Sequence, residues 1–267
     1  MLQTALDFKS ESDNLYQTLC HLADKDFEQI TQFKNWTINN VIQHLHFFNW
    51  AAHLSIKDEQ AFRKLTEDLK ESRAADETMV RYTERNLDGV KGQNLLQLWQ
   101  NLYSEMSDVL KLTEPKKRVQ WFGPDMSVLS SVTARLMETW AHGLDIYDTL
   151  GIARKENDYI RNIVVLGNNT FAWSFLNRGE QAPKNKPFLQ LVAPSGGIWN
   201  FNKPSTANFI AGSAAEFCQV VTQTRNIQDT SLNVKGSNAA YWMSIAQCFA
   251  GPPRTPPLPG TRYCEIK

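Results

Sequence analysis

The sequence predicts an α+β protein in two parts: a helical bundle over residues 1–155, then a linking helix and a small α+β domain over 156–267. Three observations carry this. Up to Gly151 the apolar residues recur at helical spacing in four or more long stretches. At Asn177–Pro187 the composition turns polar and rich in Lys, Gly and Pro, as a linker does. Beyond it, short alternating runs bounded by Pro, Ser and Gly replace the long helical pattern.

The elements follow in order. Residues 1–24 repeat Leu6, Leu15, Leu19 and Leu22 at helical spacing, with Cys20 and His21 at the end as a small buried thiol and a surface imidazole. Thr37 is a natural N-cap for the next helix. In it Ile38, Val41, Leu45, Phe48, Ala52 and Ile56 fall within about 80° of one another at ~100° per residue. His44 lies at the edge of that face and can look along the bundle interior, whereas His46 and His53 point away from it. Residues 57–90 are dense in charge and read as one or two exposed helices closed near Asp88-Gly89. Gly92 to Thr113 is amphipathic through Leu95, Leu96, Trp99, Leu102, Tyr103, Met106 and Leu110. Gly123-Pro124 breaks the pattern, and Ser127 or Asp125 caps the helix that runs to a stop at Gly151. Its packing face is Leu129, Val132, Leu136 and Trp140. Residues 156–177 read as one helix. Phe188–Ala193 and Ile198–Phe201 flank Pro-Ser-Gly-Gly as a hairpin, and Asn208–Gly212 and Leu232–Gly236 are further strands. Helices are expected over Ser213–Thr224 and Ser237–Ala250, and the Pro-rich tail is an extended strap.

Composition narrows the class. With 28 basic and 28 acidic side chains, no global field draws the 267-residue chain to nucleic acid or to an anionic membrane. No apolar run approaches the ~20 residues of a membrane span. The N-terminus lacks the layout of a secretion signal, and four scattered cysteines form neither CxxC pairs nor a disulfide framework. A cytoplasmic protein, monomeric or homodimeric, is expected. There is no GxSxG, no GxGxxG after a strand and no P-loop.

What remains is a constellation. Glu138 and His142 are four residues apart, so they project from one face of their helix, and Asp145 falls on the same stripe. Alone, this is equally an ordinary i,i+4 pair on a solvated face. With His44 it becomes two imidazoles and one carboxylate, enough to hold a divalent first-row metal with positions left open. Zinc is the default; nickel, iron and manganese stay open. Asp145 either orients a ligand histidine or pairs with Arg135 or Arg154.

Trp36-Thr-Ile-Asn-Asn-Val-Ile-Gln-His44-Leu, followed by Glu138-Thr-Trp-Ala-His142-Gly-Leu-Asp145, resembles the metal-binding N-terminal domain of mycothiol-dependent maleylpyruvate isomerases, within the DinB-like four-helix-bundle superfamily. Trp121–Ser127 and Trp242–Pro253 resemble a subgroup of uncharacterised metal-binding members. The resemblance implies His44, Glu138 and His142 as metal ligands, and an up-down-down-up bundle with one long crossover. It implies a low-molecular-weight thiol (mycothiol, bacillithiol or glutathione) used by a transferase or isomerase on a small electrophilic substrate. It also implies a sterol-carrier-like C-terminal domain that helps close the site. Arg225 is one basic group there that can meet an anionic substrate, or else form a surface salt bridge. The alternative function is a non-catalytic protein that binds metal and a hydrophobic ligand.

Overall fold

In the computed structural model, which describes residues 2–266, the helices of the first half are α1 (Gln3–Leu19), α2 (Ile38–Lys57), α3 (Glu59–Ala74), α4 (Met79–Asn86), α5 (Gly92–Leu110) and α6 (Val128–Leu150). Two-residue strands β1 (Arg118–Val119) and β2 (Met126–Ser127) pair antiparallel just before α6. The chain divides into two compact units between Ile146 and Tyr147, inside α6. A boundary placed by composition at 155/156 falls after this helix, because the helix runs through the division without a break in pattern.

Side-chain contacts define the direction of each bundle helix. Ser107 Oγ donates to the Ala5 carbonyl at 2.9 Å, Tyr103 donates to Asp13 at 2.8 Å, and Gln93 donates to the Leu19 carbonyl at 3.2 Å. As α1 advances its partners on α5 recede, so the two are antiparallel. Asn39 meets Gly92 and His53 meets Glu105, so α2 and α5 run parallel. His44 meets Glu138 and Phe48 meets Arg135, so α2 and α6 are antiparallel. Gly143 of α6 closes the ring, since a Cβ there would lie 3.6 Å from Leu15 of α1. The order is up-down-down-up, with α3 and α4 carried on the long α2–α5 crossover.

Phe8, Leu15, Ile38, Val41, Leu45, Trp99, Leu136 and Trp140 are fully buried between these helices. Each contributes about 1.5–3 kcal/mol of transfer free energy. The crossover helices pack on the far side of α2 through Phe47, Ala51, Phe62, Leu65, Leu69 and Tyr82. Leu129, expected on the packing face of α6, is instead exposed, while its neighbour Val128 is buried in the first turn. The start of α5 is capped from elsewhere in the chain. Asn39 accepts from the Gly92 amide at 2.8 Å and Asp24 accepts from Gln93 at 2.9 Å. Gly92 has φ of 61°, and any Cβ there would run into the Asp24 carboxylate, so only glycine fits.

The second unit holds α7 (Arg161–Asn169), α8 (Phe171–Leu176), β3 (Phe188–Val192), β4 (Ile198–Phe201), β5 (Phe209–Ser213), α9 (Ala214–Val221), β6 (Asn233–Lys235) and α10 (Ser237–Ile245). The sheet order is β4-β3-β5-β6. The expected hairpin is β3–β4, while β5 joins β3 in parallel and β6 antiparallel. Leu189, Leu191 and Ile210 pack with Phe171, Phe217 and Trp242, whose rings meet edge to face at 5.0–5.7 Å. The single helix expected over 156–177 is broken. Thr170 leaves helical geometry, and its hydroxyl donates back to the Leu166 and Gly167 carbonyls. The last helix stops at Ile245 rather than Ala250. The tail is extended and tied down, with its Pro257 carbonyl accepting from Asn226 and Arg262 donating to the Gln223 carbonyl. No helix among the described residues is long and apolar enough to cross a membrane.

Candidate metal centre

The site begins at a tight loop. Ile30 and Thr37 form a β-bridge, the Thr31 amide donates to the Trp36 carbonyl at 2.7 Å, and the Trp36 amide donates to the Phe33 carbonyl at 2.9 Å. Lys34 and Asn35 turn the chain with φ of 51° and 56°, a conformation that costs a non-glycine residue about 1 kcal/mol. The turn presents Phe33 and Trp36 on one side. Thr37 then caps α2 as expected: its hydroxyl accepts from the Asn40 amide and the Asn40 side chain accepts from the Thr37 amide. Two turns later stands His44. On α6, whose first turn Ser127 caps by accepting from the Ser130 amide, Glu138 and His142 share a face.

The fold brings the three together. His44 Nε2 and His142 Nε2 each lie 3.4 Å from Glu138 Oε2. One donor atom from each residue lies within 4.8 Å of the other two. The imidazoles meet edge to face at 4.7 Å between centroids. Aromatic rings wall them: Trp36 stacks on His142 at 6.0 Å and tilts over His44 at 5.3 Å, Phe33 meets His142 edge-on at 4.9 Å, and Phe48 lies 4.7 Å from His44. Asp145, 2% exposed, places Oδ2 at 3.4 Å from His142 Nδ1, behind the imidazole. The sequence left Asp145 between a histidine and an arginine partner, and His142 is one of its neighbours.

Burial and charge pull the groups apart. Burial pushes the His44 imidazole down to about 4, helped by the positive charges of His142 and Arg135 and only partly opposed by Glu138. Burial acts the same way on His142, but Asp145 and Glu138 outweigh it and raise the imidazole to about 9. Burial would raise the Glu138 carboxyl. Its hydrogen bonds from His142 and His44 and the nearby Arg135 instead hold it well below the usual carboxylate range.

These residues fit a divalent cation. Two neutral nitrogens and one carboxylate oxygen are a donor set for zinc and its first-row neighbours. Separations of 3.4 Å between donor atoms exceed a well-formed charged hydrogen bond and suit ligands sharing one ion. Asp145 adds a second carboxylate 3.4 Å behind the His142 imidazole.

The other residues singled out by sequence lie apart from this cluster. His46 is half-buried and pushed down to about 4 by burial alone. His53 pairs with Glu105 of α5 at 3.4 Å. Arg225 donates to Asp148 at 2.7 Å within the second unit. That salt bridge is buried rather than at the surface. None of the clustered residues is a cysteine, and burial holds the Cys218 thiol well above its ordinary value. Sequence reasoning passed over Phe33, Phe48 and Trp36 as site residues. The only signal for the first and last was an aromatic on each side of Lys34-Asn35, just ahead of a capped helix.

Comparison with known proteins places residues 8–147 on the family model described as the mycothiol maleylpyruvate isomerase N-terminal domain. Two curated relatives, uncharacterised proteins of Mycobacterium tuberculosis strains CDC 1551 / Oshkosh and ATCC 25618 / H37Rv, are each 34% identical over 247 residues. The matches cover 92% of this chain and 95% of theirs. Among solved structures, a mycothiol-dependent maleylpyruvate isomerase matches with a TM-score of 0.53 at 14% identity, over 82% of this chain and 87% of that one. A single-site mutant of that isomerase matches with 0.51.

Proposed function

The chain belongs to the mycothiol maleylpyruvate isomerase N-terminal domain family, and from that premise we propose that it is a divalent-metal enzyme using a low-molecular-weight thiol to transfer to, or isomerise, a small electrophile. The observation that carries the reading is the convergence of His44, Glu138 and His142 within 4.8 Å, walled by aromatic rings. Zinc is the metal this donor set suits first. When bound, such a cation supplies the Lewis acidity that lets a thiol lose its proton near neutral pH.

The protein's own residues do the rest. His44 Nε2, His142 Nε2 and Glu138 Oε2 hold the ion and leave coordination positions free for a ligand. Asp145, 3.4 Å from His142 Nδ1, supplies negative charge behind that imidazole. Trp36, Phe33 and Phe48 exclude water, which strengthens each of these interactions. Since the cluster contributes no cysteine, the thiol comes from outside: mycothiol, bacillithiol or glutathione. In transfer it remains on the product, and in isomerisation it is returned.

Cobalt-substituted protein titrated with each of the three thiols tests this. A sulfur-to-cobalt charge-transfer band with one of them, and turnover of a small electrophile that requires the same thiol, is the expected result. Spectra unmoved by all three, with no thiol-dependent turnover, would contradict it.

A further inference from the structure

Arg135 stands one helical turn before Glu138, on the side of α6 that faces the site. Its side chain is 5% exposed. Its Nε and Nη1 are fully buried with no hydrogen-bond partner among the described residues. Its guanidinium carbon lies 5.5 Å from the centre of the Phe48 ring and 5.4 Å from that of Trp121. Phe48 is the ring that also packs on His44. Trp121 is itself held by stacking on Phe62 and by Phe122. The guanidinium is therefore fixed by flat rings, one ring away from a proposed metal ligand.

This arrangement is incomplete as it stands. Aromatic faces attract the cation but accept none of its N–H bonds in the plane, and a buried guanidinium with unmade hydrogen bonds is costly. Glu138 is the nearest carboxylate to influence it, yet acts through charge without a hydrogen bond, and its Oε2 already faces two imidazoles. Nε shares one edge of the planar guanidinium with Nη2 and Nη1 shares another, so each unmet donor marks an edge at which a planar carboxylate accepts two parallel N–H bonds.

We propose that Arg135 is the anion anchor of the site, a guanidinium edge bearing its buried Nε or Nη1 receiving a carboxylate borne by the small molecule that reacts there. This rests on the reading of the triad as the reaction site, and it adds a residue that positions ligand without holding metal. The carboxylate belongs either to the electrophile or to the thiol.

The test is calorimetric, on zinc-loaded and on metal-free protein, with paired probes that differ only in charge. Succinate against succinamide reads the electrophile's source; 3-mercaptopropionate against 3-mercaptopropionamide reads the thiol's. Wild type is expected to prefer the carboxylate of at least one pair by tenfold or more. Arg135→Met should abolish that preference while keeping zinc content unchanged, and Arg135→Lys, which keeps the charge but not the fork, should recover part of it. Equal preference in wild type and Arg135→Met overturns the proposal, as does a wild type indifferent to charge in both pairs. A folded Arg135→Met that loses zinc also overturns it, since Arg135 would then serve Glu138 alone. If Arg135→Met does not fold, Arg135→Lys decides, and a Lys variant that matches wild type on both pairs overturns the paired-donor geometry. The succinate arm on metal-free protein reads Arg135 even if zinc binding itself fails, so the two failures are distinct.

Discussion

His44 and His142 lie 4.7 Å apart, yet they sit in opposite electrostatic surroundings. His44 has one shared carboxylate and is pushed down to about 4 by burial, whereas His142 has Glu138 on one side and Asp145 on the other and is raised to about 9. At pH 7 the metal-free site therefore carries a proton on His142, none on His44, and an ionised Glu138. A metal must displace that proton. Binding of zinc at pH 7 is expected to release about one proton, and the affinity to rise about tenfold per pH unit up to about 9. Calorimetric titration in buffers of different ionisation enthalpy checks this, and a binding heat independent of buffer would contradict it. At this scale the i,i+4 spacing of Glu138 and His142 was readable from sequence, because helix geometry alone puts them on one face. That His44 meets them was not, since it depends on α2 lying beside α6. Arg135 was visible only as an alternative partner for Asp145; its unmet donors are a property of packing.

Elements were legible where one face is apolar and the other polar. The faces of α2 and α5 and the cap at Thr37 could be read directly, and the cap of α6 was narrowed to Ser127 or Asp125, of which Ser127 accepts from the Ser130 amide. In α2 the structure buries more than the apolar stripe: Asn39, Gln43, Asn49 and Ser55 are buried as well, since α5, α6 and the crossover helices surround it. Reading failed where tertiary contacts override periodicity. The β1–β2 pair is too short to leave an alternating pattern, and the break at Thr170 comes from a side chain bonding back to the backbone. Gly167, on α7, shows the same contest in energetic form. Helix propensity favours alanine there by about 1 kcal/mol. A Cβ, however, would meet Val221 Cγ2 at 2.8 Å and its Cβ and Cγ1 at 3.1 Å. A β-branched side chain cannot turn away from three such contacts, and overpacking costs about 1–3 kcal/mol. Gly167→Ala is expected to leave the protein about 0–2 kcal/mol less stable in urea unfolding, with Val221→Ala relieving the contact in the double variant. A Gly167→Ala protein more stable than wild type by the full propensity gain of about 1 kcal/mol would contradict the close approach.

For the whole molecule, the shift from long helical patterns to short strands announced two units of different class, and the contacts bear out the α+β architecture. Periodicity could not say which helices are neighbours; the up-down-down-up order was implied only by resemblance, and it follows here from seven side-chain contacts between the helices. The parallel pairing of β3 with β5 was equally hidden, because strand runs do not name their partners. The bundle's design explains the cluster: antiparallel α2 and α6, held side by side by a core of fully buried residues, bring His44, Glu138 and His142 from distant parts of the chain to one point. An ion bound only by the folded form also stabilises the whole molecule by mass action. The measurement that tests the central claim most directly is metal content by elemental analysis of tag-free protein, wild type beside His44→Ala and His142→Ala. The account predicts about one divalent ion per chain in wild type, lost in both variants, because removal of either nitrogen leaves only two protein ligands. Full occupancy in the variants, or an empty wild type even after reconstitution with zinc, would contradict it.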